Sequence, residues 1–218
     1  MVDDTFVLGV DLDGVCADYT AAFRAIVASE RGVDPETLGD QVSWSFSEWG
    51  ISAEEFDALH RCAVLEHRMF RTMPAMEGAA DALWRLSDAG VWIRIITHRL
   101  YVNWGHAVAV TDTVAWLDQH GIPYRDLCFL GRKPEVEADV YVDDGPHNVE
   151  SLRSHGAEVI VFDQPYNRGL DGPRAHEWAD VEELVSTLAA ARGLWFQGQL
   201  PGLQDPSRRV DHRVRSGR

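Results

Sequence analysis

The stretch VDLDGV, Val10–Val15, closes the first strongly apolar run of the chain, and its reading decides how the rest is organised. Phe6–Leu12 reads as a buried strand that delivers two aspartates and a glycine at its end. Residues two apart on a strand share a face. Gly14 lets the chain turn sharply, so Asp11 and Asp13 approach one point differently. In open α/β sheets the ligand crevice lies beyond the carboxyl ends of the strands. Two carboxylates there are costly unless a cation or a proton compensates them. Taken alone the pattern is weak, because Asp and Gly also populate ordinary turns after strands.

Outward from this stretch, short β-branched runs recur at Val91–Ile96, Leu127–Leu130, Val140–Val142 and Val159–Phe162. They are nearly continuous in apolar residues rather than alternating, which suits a parallel sheet covered on both faces. Amphipathic helical stretches lie between them: Glu77–Ala89, Thr111–His120, Asn148–His155 and Val181–Arg192. Gly90, Gly121 and Gly156 each stand where a helix should stop. This alternation predicts a Rossmann-like, doubly wound α/β core. One interval of about 75 residues breaks it, between the first strand and the second. It holds helical patterns at Tyr19–Arg31 and Ala53–Glu66, joined by the aromatic linker WSFSEWG, Trp44–Gly50. The expected organisation is a core of residues 1–14 and 72–195, a helical cap of residues 15–71, and a tail of residues 196–218. The last 14 residues hold five Arg and two Asp without an apolar face, and are expected to be disordered.

A second acidic pair ends another apolar run, in VYVDDGPHN, Val140–Asn148. If its strand neighbours the first, Asp143 and Asp144 join Asp11 and Asp13 at one crevice. Such a cluster requires a divalent cation at neutral pH, and hard oxygen ligands favour Mg²⁺. Thr97 places a hydroxyl at the end of the second predicted strand, and Lys133 lies in the loop after the third. A hydroxyl and an ammonium are what a phosphoryl group needs around it. Singly, Thr97 is equally a turn residue and Lys133 a solvated charge; their order at successive strand ends joins them to the carboxylates.

The 218 residues carry 35 acidic and 20 basic side chains, a net charge of −15, and of the basic residues only Lys133 is lysine. This charge disfavours nucleic acid polymers and anionic membranes as partners. Cys16, Cys62 and Cys128 are odd in number and far apart, which argues against a disulfide framework or a thiolate metal site. No basic, apolar leader and no run approaching about 20 apolar residues is present, so a cytoplasmic location is expected.

VDLDGV, then Ile95-Ile96-Thr97, then Lys133, then VYVDD resembles the four motifs of the haloacid dehalogenase (HAD) superfamily, in order. The helical insertion looks like its C1-type cap. Within that superfamily the chain resembles the 5′(3′)-deoxyribonucleotidase family: in DLDGVCADYTAAF (Asp11–Phe23), in MFRTMPAMEGA (Met69–Ala79), in FDQPYN (Phe162–Asn167) and in RAHEWAD (Arg174–Asp180). It departs from that family where His98 and Arg99 follow Thr97 in place of Ser and Pro, and where Gly145 replaces a frequent Arg. The resemblance implies a Mg²⁺-dependent phosphomonoesterase acting through a phosphoaspartate. Asp11 is then the nucleophile and Asp13 the proton donor and acceptor, while Thr97 and Lys133 hold the phosphoryl oxygens. Asp11, the Asp13 carbonyl and Asp144 hold the metal, with Asp143 and Asn148 behind them. Asp13 argues against the dehalogenases, which lack it, and the absence of Lys from Val15–Arg71 excludes phosphonate cleavage through a cap Schiff base.

Leaving-group contacts are expected from His98, Phe23, Trp44, Phe46 and Phe70, with Arg99, Tyr19 and Trp49 as further candidates; these aromatics serve equally well as a core for the cap itself. His60 and His67 are expected on a solvated helix face, and Trp178 as an anchor of the last helix. The implied substrate is a small phosphomonoester, a nucleoside monophosphate first and a sugar phosphate or biosynthetic phosphate second. A non-catalytic binding domain is the reading from another class. Family members are often homodimers.

Overall fold

The computed structural model describes residues 5–194, and the expectation for the tail falls outside them. The first strand, β1 (Val7–Val10), is followed by four helices: α1 (Tyr19–Arg31), α2 (Ala53–Leu65), α3 (Met69–Thr72) and α4 (Ala79–Asp88). Strand and helix then alternate: β2 (Trp92–Thr97), α5 (His106–Gln119), β3 (Asp126–Phe129), β4 (Val140–Asp143), α6 (Pro146–Ser154), β5 (Val159–Phe162), β6 (Arg174–Ala175) and α7 (Trp178–Ala191). All pairings are parallel, in the order β3-β2-β1-β4-β5-β6. The chain builds β2 and β3 on one side of β1, then crosses to β4 on the other. That reversal is the switch point at which open α/β sheets bind ligands. Val10 stands opposite both Ile95 and Val142, so the residues after β1, β2 and β4 leave the sheet at one level.

The central strands are short and buried on both faces, which explains their unbroken apolar runs. Gly9 is a packing requirement: a Cβ there would lie 2.9 Å from the side chains of Ile96 and Tyr141. The first strand ends earlier than expected, at Val10. The Asp11 amide makes one last bond across the sheet, to the Val142 carbonyl (3.0 Å), before the chain turns. The two-residue β6 escaped the sequence reading because it has no apolar run.

Helix α5 begins at His106, five residues before the expected Thr111. Its periodicity misleads because polar residues face inward. Asp112 is fully buried and takes both prongs of the Arg68 guanidinium (2.7 and 2.6 Å), tying the α2–α3 junction to the core. Trp116 adds a bond from its indole N–H to the Met73 carbonyl, 2.8 Å. Between β1 and α4, the helices enclose an aromatic centre of Phe23, Phe46, Trp49 and Phe56, with ring centroids 4.8–6.4 Å apart. The Asp18 carboxylate caps α1 by accepting from the Ala21 amide (2.9 Å). Among the described residues no helix is long and apolar enough to cross a membrane, and all three cysteines are free.

Candidate active site

The loop after β1 is held on every side. The Leu12 carbonyl accepts from the amides of Cys16 (2.9 Å) and Ala17 (2.8 Å), and the Gly14 amide donates to the Ala17 carbonyl (2.8 Å). The indole of Trp178, at the start of α7, donates to the Val15 carbonyl (3.0 Å), and the Gln164 amide to the Gly14 carbonyl (2.7 Å). Trp178 therefore anchors α7 as expected, but to the loop after β1. Gly14 sits at φ +81°, and a Cβ there would lie 2.0 Å from Asp144 Oδ2. Only glycine lets the two acidic strand ends approach this closely.

Asp11, Asp143 and Asp144 converge: one carboxylate oxygen from each lies within 4.8 Å of the others, and all three are buried. Lys133, itself buried, reaches in from the loop after β3, with Nζ 2.9 Å from Asp11 Oδ1 and 2.5 Å from Asp143 Oδ2. The other Asp143 oxygen accepts from the Gly145 amide (2.9 Å) and the Asn148 side chain (3.1 Å). Asp143 is thus fully engaged by protein. The two bonds on Asp11, from Lys133 and from the Leu12 amide (2.8 Å), both fall on Oδ1. Asp144 Oδ2 accepts from the Tyr166 hydroxyl, and its Oδ1 is buried without a hydrogen-bond partner. Burial pushes the Asp11 carboxyl up to about 7, against the pull of Lys133 and with the added push of Asp143 and Asp13. Burial also drives Asp144 well above the usual carboxylate range, helped by Asp11 and Asp143. The same carboxylates hold Lys133 charged despite its burial. A set of buried oxygens with one orphan and too little positive charge is the donor set of a hard divalent cation.

Above these groups lies a cavity of about 310 Å³. Asp11, Asp13, Asp144, Asn148, His98 and Arg99 give it a polar lining; Phe46, Phe56, Phe70, Trp44, Tyr101 and Tyr166 give it aromatic walls. Thr97, Lys133 and Asp143 are buried and do not line it. A wider groove of about 640 Å³, bordered by Asp163 and Trp178, touches none of Asp11, Asp13, Asp143 and Asp144.

Among the expected substrate contacts, Trp44, Phe46, Phe70 and His98 line the cavity and Phe23 does not. Phe23 is fully buried at the centre of the cap aromatics, and Trp49 joins it there. Arg99 is not a solvated loop residue: it is buried, lines the cavity and bonds Asp13 in a fork, with Nη2–Oδ1 2.7 Å and Nε–Oδ2 3.1 Å. His60 is not on a solvated face either. It lines the cavity, bonds the Tyr19 hydroxyl through Nδ1 (2.9 Å), and burial lowers its pKa. His67 instead meets Glu30, at 2.8 Å. Tyr166, Tyr101, Gln41 and Phe56 were not anticipated. Only Tyr166 carried a signal, its place in FDQPYN.

Over residues 5–192 the chain matches the family described as 5′ nucleotidase, deoxy (pyrimidine), cytosolic type C. The chain belongs to this family. Among its relatives, a Chlorobaculum tepidum protein that bears a provisional 5′(3′)-deoxyribonucleotidase name is 47% identical over 86% of this chain and 94% of its own length. The 5′(3′)-deoxyribonucleotidase of Bacillus subtilis strain 168 is 26% identical over 81% of this chain and 96% of its own. Its fold is shared with haloacid dehalogenase-like proteins. A haloacid dehalogenase-like hydrolase from Streptococcus pneumoniae superposes with a TM-score of 0.56 at 14% identity, covering 83% of this chain and 98% of that one. A haloacid dehalogenase-like protein from Agrobacterium tumefaciens gives 0.55 at 17% identity, covering 85% and 99%. The chain therefore joins membership of this nucleotidase family to a haloacid dehalogenase-like fold.

Proposed function

We propose that the protein hydrolyses nucleoside 5′-monophosphates, deoxyribonucleotides foremost, with Asp11 as nucleophile. One observation carries this reading: the buried Asp11–Lys133 pair and the orphaned Asp144 oxygen meet Asp13 at the floor of an aromatic cavity. About 310 Å³ is at the small end of ligand sites, room for one small leaving group.

Asp11 Oδ2, which takes neither of the two bonds that fall on Oδ1, attacks phosphorus while Lys133 steadies Oδ1. Asp13 gives its proton to the leaving oxygen as the ester bond breaks. It then takes one from the water that frees Asp11. Lys133, against Asp11 Oδ1, and Thr97, at the end of β2, offset charge on the phosphoryl oxygens. Asp143, fixed by Gly145 and Asn148, orients Lys133. Asp11, the Asp13 carbonyl and Asp144 would hold Mg²⁺, which would supply the remaining positive charge against the phosphate. The aromatic walls enclose the base or sugar. A sugar phosphate is the second reading, favoured by Gly145 standing where the family often has an arginine.

A panel of phosphomonoesters with Mg²⁺ tests the substrate. dUMP and dTMP should exceed sugar phosphates in kcat/KM by at least about tenfold, equivalent to about 1.4 kcal/mol of recognition in the cavity. Equality between the two classes removes the nucleotide assignment. Absence of Mg²⁺-dependent phosphate release from every ester leaves a binding domain.

The metal assignment has its own test. Without metal, folded Asp11 retains its proton up to about pH 7, whereas the ordinary value is 3.8. Between those values the folded state binds more protons than the unfolded one, so stability falls as pH rises through this window. Mg²⁺ should compensate the ionised cluster and raise the melting temperature strongly at pH 8 and little at pH 5. A Mg²⁺ effect that is equal at both pH values contradicts the placement.

A further inference from the structure

We propose that Arg99 is the positioning residue of Asp13: it fixes the plane and reach of the Asp13 carboxyl over the phosphoryl site and ties that placement to the cap. The proposal rests on Asp13 being the proton-transfer group.

Three contacts define the arrangement. The guanidinium takes both Asp13 oxygens in a fork, Nη2–Oδ1 2.7 Å and Nε–Oδ2 3.1 Å. Its third nitrogen, Nη1, donates to Thr113 Oγ1 on α5, 2.9 Å. Its central carbon stands 4.3 Å from the ring centroid of Phe70 on α3. All three nitrogens are engaged, and the Arg99 side chain is 1% exposed against 28% for Asp13. Arg99 borders the cavity, and the three N–H groups it commits within the protein go to Asp13, twice, and to Thr113.

A carboxylate has about four acceptor sites and the fork uses two, so each Asp13 oxygen keeps one for the cavity. Asp13 stands beside Gly14 in a tightly held loop, and its carboxyl plane still turns about the side-chain torsions. A planar, bidentate partner fixes it, as a single ammonium would not. When Asp13 passes its proton to the leaving oxygen, the negative charge it acquires forms against a guanidinium already in place. Phe70, which also lines the cavity, covers the other side of that guanidinium.

The test is the dependence of kcat/KM on leaving-group acidity, across 4-nitrophenyl, phenyl and alkyl phosphates. 4-Nitrophenolate departs without a proton, whereas an alkoxide needs one. Arg99→Met should lower kcat/KM about 100-fold for alkyl phosphates and less than about fivefold for 4-nitrophenyl phosphate, the selective loss that misplacing a general acid produces. Arg99→Lys should recover only part of the alkyl rate. Thr113→Val, which loosens Arg99 without removing it, should shift the series in the same direction by a few-fold; it keeps the question answerable if Arg99→Met does not fold. A uniform fall across the series overturns the proposal, because support of the fold or of phosphate binding slows every ester alike. Asp13→Asn separates the two levels. If it lacks the selective loss, the assignment of Asp13 fails; if it shows the loss and the Arg99 variants do not, the role of Arg99 fails.

Discussion

Asp11→Asn should abolish phosphate release, by at least about 10⁴-fold, and leave the fold intact. Removing a nucleophile forfeits the covalent route outright, and losses of about 10⁶ accompany such removals elsewhere. The amide oxygen still accepts the Leu12 amide bond, and the volume is unchanged. Stability should hold or rise, because one of three buried carboxylates crowded within 4.8 Å becomes neutral. Three measurements check it: phosphate release, thermal melting, and trapping of the phosphorylated chain by mass. The parent should gain one phosphoryl mass when quenched in acid and the variant none. Undiminished turnover would overturn the assignment of Asp11.

Lys133→Met should lower both activity and stability, which distinguishes it from the first variant. The ammonium is 3% exposed and lies between Asp11 Oδ1 and Asp143 Oδ2. Its loss leaves two buried carboxylates uncompensated, at a cost of about 3–5 kcal/mol. For a domain of this size that is a drop in melting temperature on the order of 10 °C. Activity should fall about 10²–10³-fold, as when one preorganised charge is taken from a developing transition state. The stability difference should narrow in acid, where the carboxylates accept protons that replace the missing cation. Lys133→Arg restores the charge but not the shape. A planar fork does not occupy the compact place between two carboxylates and a phosphoryl oxygen as an ammonium does. It should recover melting temperature better than turnover. Full activity in the methionine variant would remove Lys133 from the site.

The lone lysine shows how much of the site was readable in advance. With 19 arginines and one lysine, base composition alone accounts for Lys133 as a surface survivor. Its position between two strand-end motifs says otherwise, and the structure places it against Asp11 and Asp143. Some of the net charge of −15 is accordingly the buried cluster around it, which a cation and Lys133 together make compatible with an anionic substrate. Strand ends are legible because a parallel sheet repeats one rule: a short apolar run, then polar residues at the carboxyl edge. Asp11, Thr97 and Asp143 each obey it.

Arg99 and Phe23 mark where that legibility stops. Two residues past a strand end, an arginine in a loop reads as a solvated charge; only the approach of Asp13, Thr113 and Phe70 from three other segments turns it inward. Phe23 and Phe46 have the same chemistry and neighbouring segments. One is in the middle of the cap and the other in the wall of the cavity, since which side of an aromatic cluster faces the opening depends on how the cap sits over the sheet. The inward turn of Asp112 and Thr113 on α5 was not legible because their partners, Arg68 and Arg99, lie 44 and 14 residues away.

From the sequence alone came the parallel α/β core, the order of the four strand-end groups and the chemistry they imply. Each depends on local pattern, with a period of two or 3.6 and a fixed exit from the sheet. The tertiary structure decided which side chains the polar interior pairs, which aromatics meet the ligand, and which carboxylate oxygen is left without a partner. Those outcomes depend on distances between segments far apart in the chain, and such distances exist only once the sheet has been crossed and the cap has closed over its edge.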